Sequence, residues 1–270
     1  MTKEKDELLT FGGHLEVLRR MLFRVVAVVV AMAVLVFCFK DDTFELLLAP
    51  AKNDFCLYGW IEDVSSFIGA KFRFDDLSVR LISTELSAQF MMHVTSSIYL
   101  ALLLSSPYIL FELFAFIAPA LYERERRYAV TAVVLVYILF VSGVLLSYFV
   151  LFPISFRFLA TYQVASTIEN TITLSSYIST FTTLTLIMGL VFQMPIISFF
   201  FAKTGFVTST ALSNYRRHAI LAITILSAVI TPPDLLTCIL VTGPLCLLYE
   251  CSIFVVRLVE KNSYTADADV

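Results

Sequence analysis

Four short stretches set polar side chains into an otherwise apolar chain. The richest is 114–127, where Phe114, Phe116, Pro119 and Tyr122 lead into Glu123, Arg124, Glu125, Arg126 and Arg127. A connection that served topology alone would carry only basic residues. The two acids add acceptors suited to guanidinium groups, which bind carboxylates through two parallel hydrogen bonds. Local pairing of Glu125 with Arg126 or Arg127 is the other use of the same charges. In the second stretch Gly12 and Gly13 precede His14, Leu15, Glu16, Val17, Leu18, Arg19 and Arg20, polar and apolar at helical spacing. Arg19 and Arg20 serve as topological anchors, whereas Glu16 beside a membrane surface works against anionic headgroups and calls for a partner. The third is Gln193 within Phe192-Gln193-Met194-Pro195. An amide at membrane depth must face protein, water or a partner helix, and Pro195 frees a backbone carbonyl beside it. A structural bond between helices is the plainer reading of Gln193. The fourth is the turn Thr231-Pro232-Pro233-Asp234. Glu112 and Glu250, at the ends of apolar runs, are expected at the interface rather than buried.

None of this is catalytic. His14, His93 and His218 lie in separate segments, no HExxH or Gly-x-Ser-x-Gly occurs, and eight glycines form no phosphate-binding loop. Five cysteines without a CxxC read as packing residues. No enzyme activity, metal or cofactor is expected.

The elements that must position these residues follow from composition. Of 270 residues, 59% are apolar and 15% charged, and mean hydropathy is +0.86. That excludes both a soluble globular domain and a disordered chain. A net charge of −3 offers no polyanion-binding surface, so nucleic acid is excluded as a partner. The runs Val25–Phe39, Phe90–Phe111, Tyr128–Phe156, Leu174–Ala202, Ala219–Pro233 and Leu235–Tyr249 contain no Lys, Arg, Asp or Glu. About 20 helical residues cross a bilayer core. The prediction is an all-α polytopic membrane protein forming one integral membrane domain over 1–270. Its six spans lie at about 21–39, 89–112, 128–150, 174–202, 218–232 and 235–256, with an outer loop over 40–88 that holds short helices. The last two runs have 15 residues each, about 22 Å of helix, so the fifth and sixth spans are expected to be short. A re-entrant hairpin is the alternative for that pair.

Lys and Arg set the orientation. One side receives Lys3, Lys5, Arg19, Arg20, Arg24, Arg124, Arg126, Arg127, Lys203, Arg216, Arg217, Arg257 and Lys261, and the other Lys40, Lys52, Lys71, Arg73, Arg80 and Arg157. The excess places both termini in the cytoplasm. No motif recurs at a fixed period, which argues against the competing reading of an ion-coupled secondary transporter built on Gln193, His93 and Asp234.

Taken in order, these residues resemble the TatC family, the multi-spanning core of the twin-arginine protein translocase. The resemblance covers nearly the whole chain. It is carried by His14-Leu15 with Leu18-Arg19, Pro50, the run Phe116 to Tyr122 with Glu125-Arg126-Arg127, Phe152-Pro153, Phe192 to Pro195, and Thr231 to Asp234 with Pro244 and Tyr249-Glu250. It implies a glove-shaped bundle of six helices in the cell inner membrane. Such a bundle docks twin-arginine signal peptides at its cytoplasmic face, recruits TatA/TatB-type single-span subunits, and assembles as a homo-oligomer within a larger complex. Folded cargo is exported on the proton-motive force, without a cofactor. The resemblance places signal-peptide binding on Glu125, Glu16, Glu123, Arg19, Leu15, Phe116, Arg126 and Arg127. It places an intramembrane polar or partner-helix site on Gln193, Pro50, Thr231 and Asp234. The chain departs from the common pattern His-Leu-x-Glu-Leu-Arg-x-Arg: Val17 stands where the acid is expected, with Glu16 one place earlier, and Met21 where the second arginine is expected. Gln193 replaces a frequent acid, keeping a hydrogen-bonding group and removing a titratable one.

Overall fold

A computed structural model describes residues 11–60, 80–117, 129–163, 165, 170–232 and 234–268. The architecture is that of an all-helical polytopic membrane protein. In chain order it comprises α1 (Phe11–Cys38), α2 (Lys40–Leu48) with a 3-10 turn (Ala49–Ala51), β1 (Leu81–Ile82), α3 (Ala88–Ile117) and α4 (Ala129–Leu146). A π turn (Ser147–Leu151) leads into α5 (Phe152–Thr161), then β2 (Ile172–Thr173), α6 (Leu174–Val191), α7 (Met194–Lys203), α8 (Ser209–Asn214), α9 (Arg216–Ile230) and α10 (Leu235–Ala268). Residues 56–60 are also helical. Among the described residues five stretches are long and apolar enough to span: Leu15–Cys38, Ala88–Leu113, Val133–Thr161, Leu174–Lys203 and Leu235–Lys261.

Two of these stretches cross a proline by local rearrangement. Pro153 has no N–H to give to the residue four before it. The π turn takes up the defect, with the Phe152 N–H donating five residues back to the Ser147 carbonyl, so α4 and α5 stay in line. At Pro195 the helix breaks after Val191. The Ile196 and Ile197 N–H groups both donate to the Gln193 carbonyl (3.1 and 3.0 Å), which restarts it as α7.

The final pair departs from expectation in one member. α9 is short, at 15 residues. α10 is not: it runs 34 residues, and its apolar stretch covers 27. Glu250 ends the uncharged run without ending the helix, because its side chain is half exposed and accepts a 2.7 Å hydrogen bond from Arg216 at the start of α9.

The chain divides into two compact units, residues up to Lys40 with His93–Tyr137, and Asp41–Met92 with Ile138 onward. In the first, α1 leaves most of its surface outward: only 11% of its most apolar window is buried. Phe37 stacks on His93 with ring centres 4.0 Å apart.

The second unit is tightly joined. Glycines let α4 and α6 approach backbone to backbone: a Cβ at Gly143 would come within 2.6 Å of the Met188 carbonyl oxygen, and one at Gly189 within 2.8 Å of the Phe140 ring. Phe152, Phe156, Tyr177 and Phe181 pack edge to face around the same junction. The last carbonyls of a helix have no partner within it, and here tyrosines supply them. Tyr148 donates to the Leu46 carbonyl (2.9 Å), Tyr177 to that of Leu47 (2.9 Å) and Tyr58 to that of Pro50 (3.1 Å), and Tyr58 also reaches the Pro153 carbonyl in the first turn of α5 (3.3 Å). The buried Arg157 guanidinium lies 4.6 Å over the Tyr58 ring. Burial pushes the Tyr58 phenol above its ordinary value, against the opposing pull of Arg157, so it stays a donor at neutral pH. Leu81 and Ile82 pair in parallel with Ile172 and Thr173, a small sheet that composition did not signal. α10 packs along α7 and α9. Its lower turns are pinned by Tyr249 donating to the Leu212 carbonyl (2.8 Å) and by Glu260, which accepts from both the Ser209 backbone N–H and hydroxyl.

Candidate functional site

The N-terminal turns of α1 present charge and apolar surface side by side. Glu16 sits at i, i+3 and i, i+4 to two arginines, which places all three on adjoining faces. It receives Arg20 Nε at 3.1 Å and lies 3.5 Å from an Arg19 nitrogen. Both arginines are largely exposed, at 68% and 74% of their side-chain surface, so these are solvent-screened pairs worth at most about 1 kcal/mol. Leu15, Val17 and Leu18 stand exposed around them. Phe116 lies half-buried on the last turn of α3.

Two turns further along α1 a different pair forms. The Arg24 Nη2 donates to Glu112 Oε2 at 2.9 Å, and the Tyr108 hydroxyl donates to Glu112 Oε1 at 2.8 Å. Glu112 is buried, with 11% of its side chain accessible, while 59% of Arg24 is accessible. This corrects the expectation of an interfacial Glu112. Arg24 satisfies the acid within the protein, so it need not reach the interface. Sequence reasoning passed over this triad, although its signal was present: an arginine inside the first apolar run and an acid ending the second are the rare intramembrane charges that demand a partner.

The intramembrane candidates separate. Pro50 belongs to the tyrosine-bound turn after α2, buried with its carbonyl accepting from Tyr58. Gln193 occupies the break between α6 and α7, buried, with Nε2 3.5 Å from the Gly189 carbonyl of its own helix. Thr231 and Asp234 do come together, in the turn joining α9 to α10. The Thr231 hydroxyl donates to the Ser227 carbonyl (2.9 Å), and Asp234 Oδ1 caps α10 by accepting from the Thr237 N–H (2.6 Å). Beside them the Ser227 and Thr242 hydroxyls bond at 2.6 Å, linking the two helices. Asp234 also edges a groove of about 740 Å³ whose other walls include Phe158, Leu159, Tyr162 and Leu235. Glu123, Glu125, Arg126 and Arg127 lie outside the described residues, as does the rest of 118–128. Among the described residues no group of three or more His, Cys, Asp or Glu side chains gathers to hold a metal.

Five long apolar helices among the described residues define a multi-pass membrane protein. The family model for the Sec-independent protein translocase protein (TatC) matches residues 13–244. Over 266 residues the chain is 33% identical to the TatC protein of Blattabacterium from Periplaneta americana, covering 97% of this chain and all of that one. It is 32% identical to Campylobacter jejuni TatC, covering 95% and 97% of the two chains. A crystal structure of the twin arginine translocase receptor TatC superposes with a TM-score of 0.73 at 28% identity, over 92% of this chain and 99% of that one. The chain belongs to the TatC family, whose members are named as protein translocase components, a transport rather than a catalytic role.

Proposed function

We propose that this chain is the signal-peptide-receiving core of a twin-arginine translocase, embedded in the cell inner membrane with both termini cytoplasmic. Its task is to hold two adjacent, always-charged guanidinium groups and the apolar stretch that follows them. That requires carboxylates next to apolar surface. The observation that carries the reading is the start of α1, where the partly exposed Glu16 carboxylate stands among exposed Leu15, Val17 and Leu18. Glu125, with Glu123, supplies the second acceptor from the following loop. Phe116 adds apolar contact, and Arg19, Arg126 and Arg127 set the local field and anchor the face. Glu16 is already held by the chain's own arginines only through screened contacts, so an incoming guanidinium displaces little.

TatA/TatB-type single-span subunits dock against the intramembrane polar positions, Gln193 and the Thr231–Asp234 turn. Pro50 sits in the turn after α2, where its carbonyl accepts from Tyr58. Several copies assemble in the larger complex, and the proton-motive force drives folded cargo across.

Site-specific photocrosslinking from positions 16, 17, 123 and 125 to a twin-arginine signal peptide tests the reading, with a twin-lysine peptide as control. Crosslinks at 16 and 125 that vanish with twin lysine are the expected result. Absence of crosslinks at all four positions in well-folded protein overturns it.

A further inference from the structure

The triad of Arg24, Glu112 and Tyr108 has an asymmetry that a plain structural ion pair does not need. The acid is fixed: it is buried on α3, and the Tyr108 hydroxyl one turn earlier holds Oε1 at 2.8 Å. The base is loose: 59% of its side chain is accessible, and among the described residues its guanidinium makes a single hydrogen bond, through Nη2. A guanidinium offers five N–H donors and a carboxylate about four acceptor positions. Half of the Glu112 acceptor capacity therefore remains for a better-placed fork. The position also fits. Glu16, Arg20 and Arg24 recur at four-residue intervals and drift only about 40° per step around α1. Glu16 thus pairs with Arg19 and Arg20, and Glu112 with Arg24, and Arg20 and Arg24 lie one helical turn apart along one side of the helix.

We propose that the Glu112 carboxylate is a further guanidinium acceptor beside Glu16 and Glu125, kept occupied by Arg24 until an arginine of the bound peptide displaces it. Arg24 is an internal ligand: it keeps a buried acid neutralised in the resting protein, and it competes with the peptide. The proposal rests on the signal-peptide reading above and adds to it a named acceptor and a competing group. Because 59% of the Arg24 side chain already lies outside the protein interior, exchange swaps one charge-assisted bond for another at Glu112 and leaves the buried acid paired.

The test measures binding of a fluorescent synthetic peptide, two adjacent arginines followed by an apolar stretch, to the full chain in detergent micelles, alongside its twin-lysine counterpart. R24Q should bind the twin-arginine peptide about tenfold tighter, the factor gained when an internal competitor filling about nine-tenths of the sites is removed. E112Q should lose most of the preference for arginine over lysine, and the double charge swap R24E/E112R should not restore it. If E112Q does not fold, R24K decides. It keeps the neutralising charge and gives up the planar fork, so binding a few-fold tighter than wild type is expected. Unchanged or weaker binding by R24K or R24Q, or a charge swap that restores wild-type binding, would make the triad a structural pair and overturn the proposal. Wild-type protein with no arginine-dependent binding would overturn the receptor reading itself, and the proposal with it. Arginine-dependent binding that all these variants leave unchanged would remove only the role of Glu112.

Discussion

The two compact units solve the same problem, polar groups inside an apolar chain, in opposite ways. In the second unit the helices are joined largely by neutral tyrosine hydroxyls that donate to carbonyls, several of them far away in sequence, beside the buried Arg157 and the Arg216–Glu250 pair. Tyr177 reaches Leu47, Tyr148 reaches Leu46, and Tyr58 joins Pro50 to Pro153. Backbones meet closely at Gly143 and Gly189. In the first unit the side-chain pairs are ionic: Glu16 meets its arginines at the surface, Arg24 reaches the buried Glu112, and α1 is mostly uncovered. A frame that must hold its shape uses neutral bonds with buried donors. Ion pairs on little-covered helices are held more loosely, because the least buried elements of a protein are the ones free to rearrange.

Substitutions in the two units should therefore fail differently. The largest effect is expected from Gly143→Leu. A side chain there meets the Met188 carbonyl and the Phe192 ring at once, with neither free to yield, so overpacking costs about 3 kcal/mol or more. Little or no protein should survive detergent extraction and gel filtration as a folded species. Glu125→Ala should do the reverse: membrane levels stay normal while twin-arginine crosslinking and export are lost, since the guanidinium groups lose an acceptor. Retained export would remove Glu125 from the site and weaken the contrast. Tyr177→Phe lies between these two in kind. It deletes one hydroxyl and leaves the Leu47 carbonyl buried, costing about 1–3 kcal/mol, read as a lower unfolding temperature with peptide affinity unchanged. The smallest stability effect belongs to Glu16→Gln, under about 1 kcal/mol because both of its pairs are solvent-screened. A measurable loss of crosslinking should accompany it. A large fall in stability on Glu16→Gln would erase the distinction between the units.

Much of the helical plan was legible without coordinates, because an uncharged run of 20 or more residues has few alternatives to a spanning helix. The break at Gln193 was only hinted at by Pro195, because Pro107 and Pro244 sit inside helices that continue through them. The length of α10 was not legible. Its uncharged run stops at Glu250, and only the approach of Arg216 from α9 shows that the helix continues. The tyrosine bonds to Leu46 and Leu47 join residues 102 and 130 positions apart, and no local pattern announces them. Spacing placed Glu16, Leu15 and Arg19 on an interfacial turn and the resemblance gave them their proposed role, whereas Glu112 was assigned to the wrong environment because its partner sits on another helix.

The amino-acid sequence by itself determined that this is a multi-pass helical membrane protein of a translocase family, with acids placed next to arginines at helix ends. The helical membrane architecture follows from composition, run length and local order, which act between near neighbours in the chain, and the family follows from the ordered motifs that resemble TatC. Which charges are buried, which carbonyls the tyrosines satisfy, and which arginine guards which acid were decided only by tertiary structure. Burial and hydrogen bonding depend on distances between helices that the chain separates by as many as 130 residues.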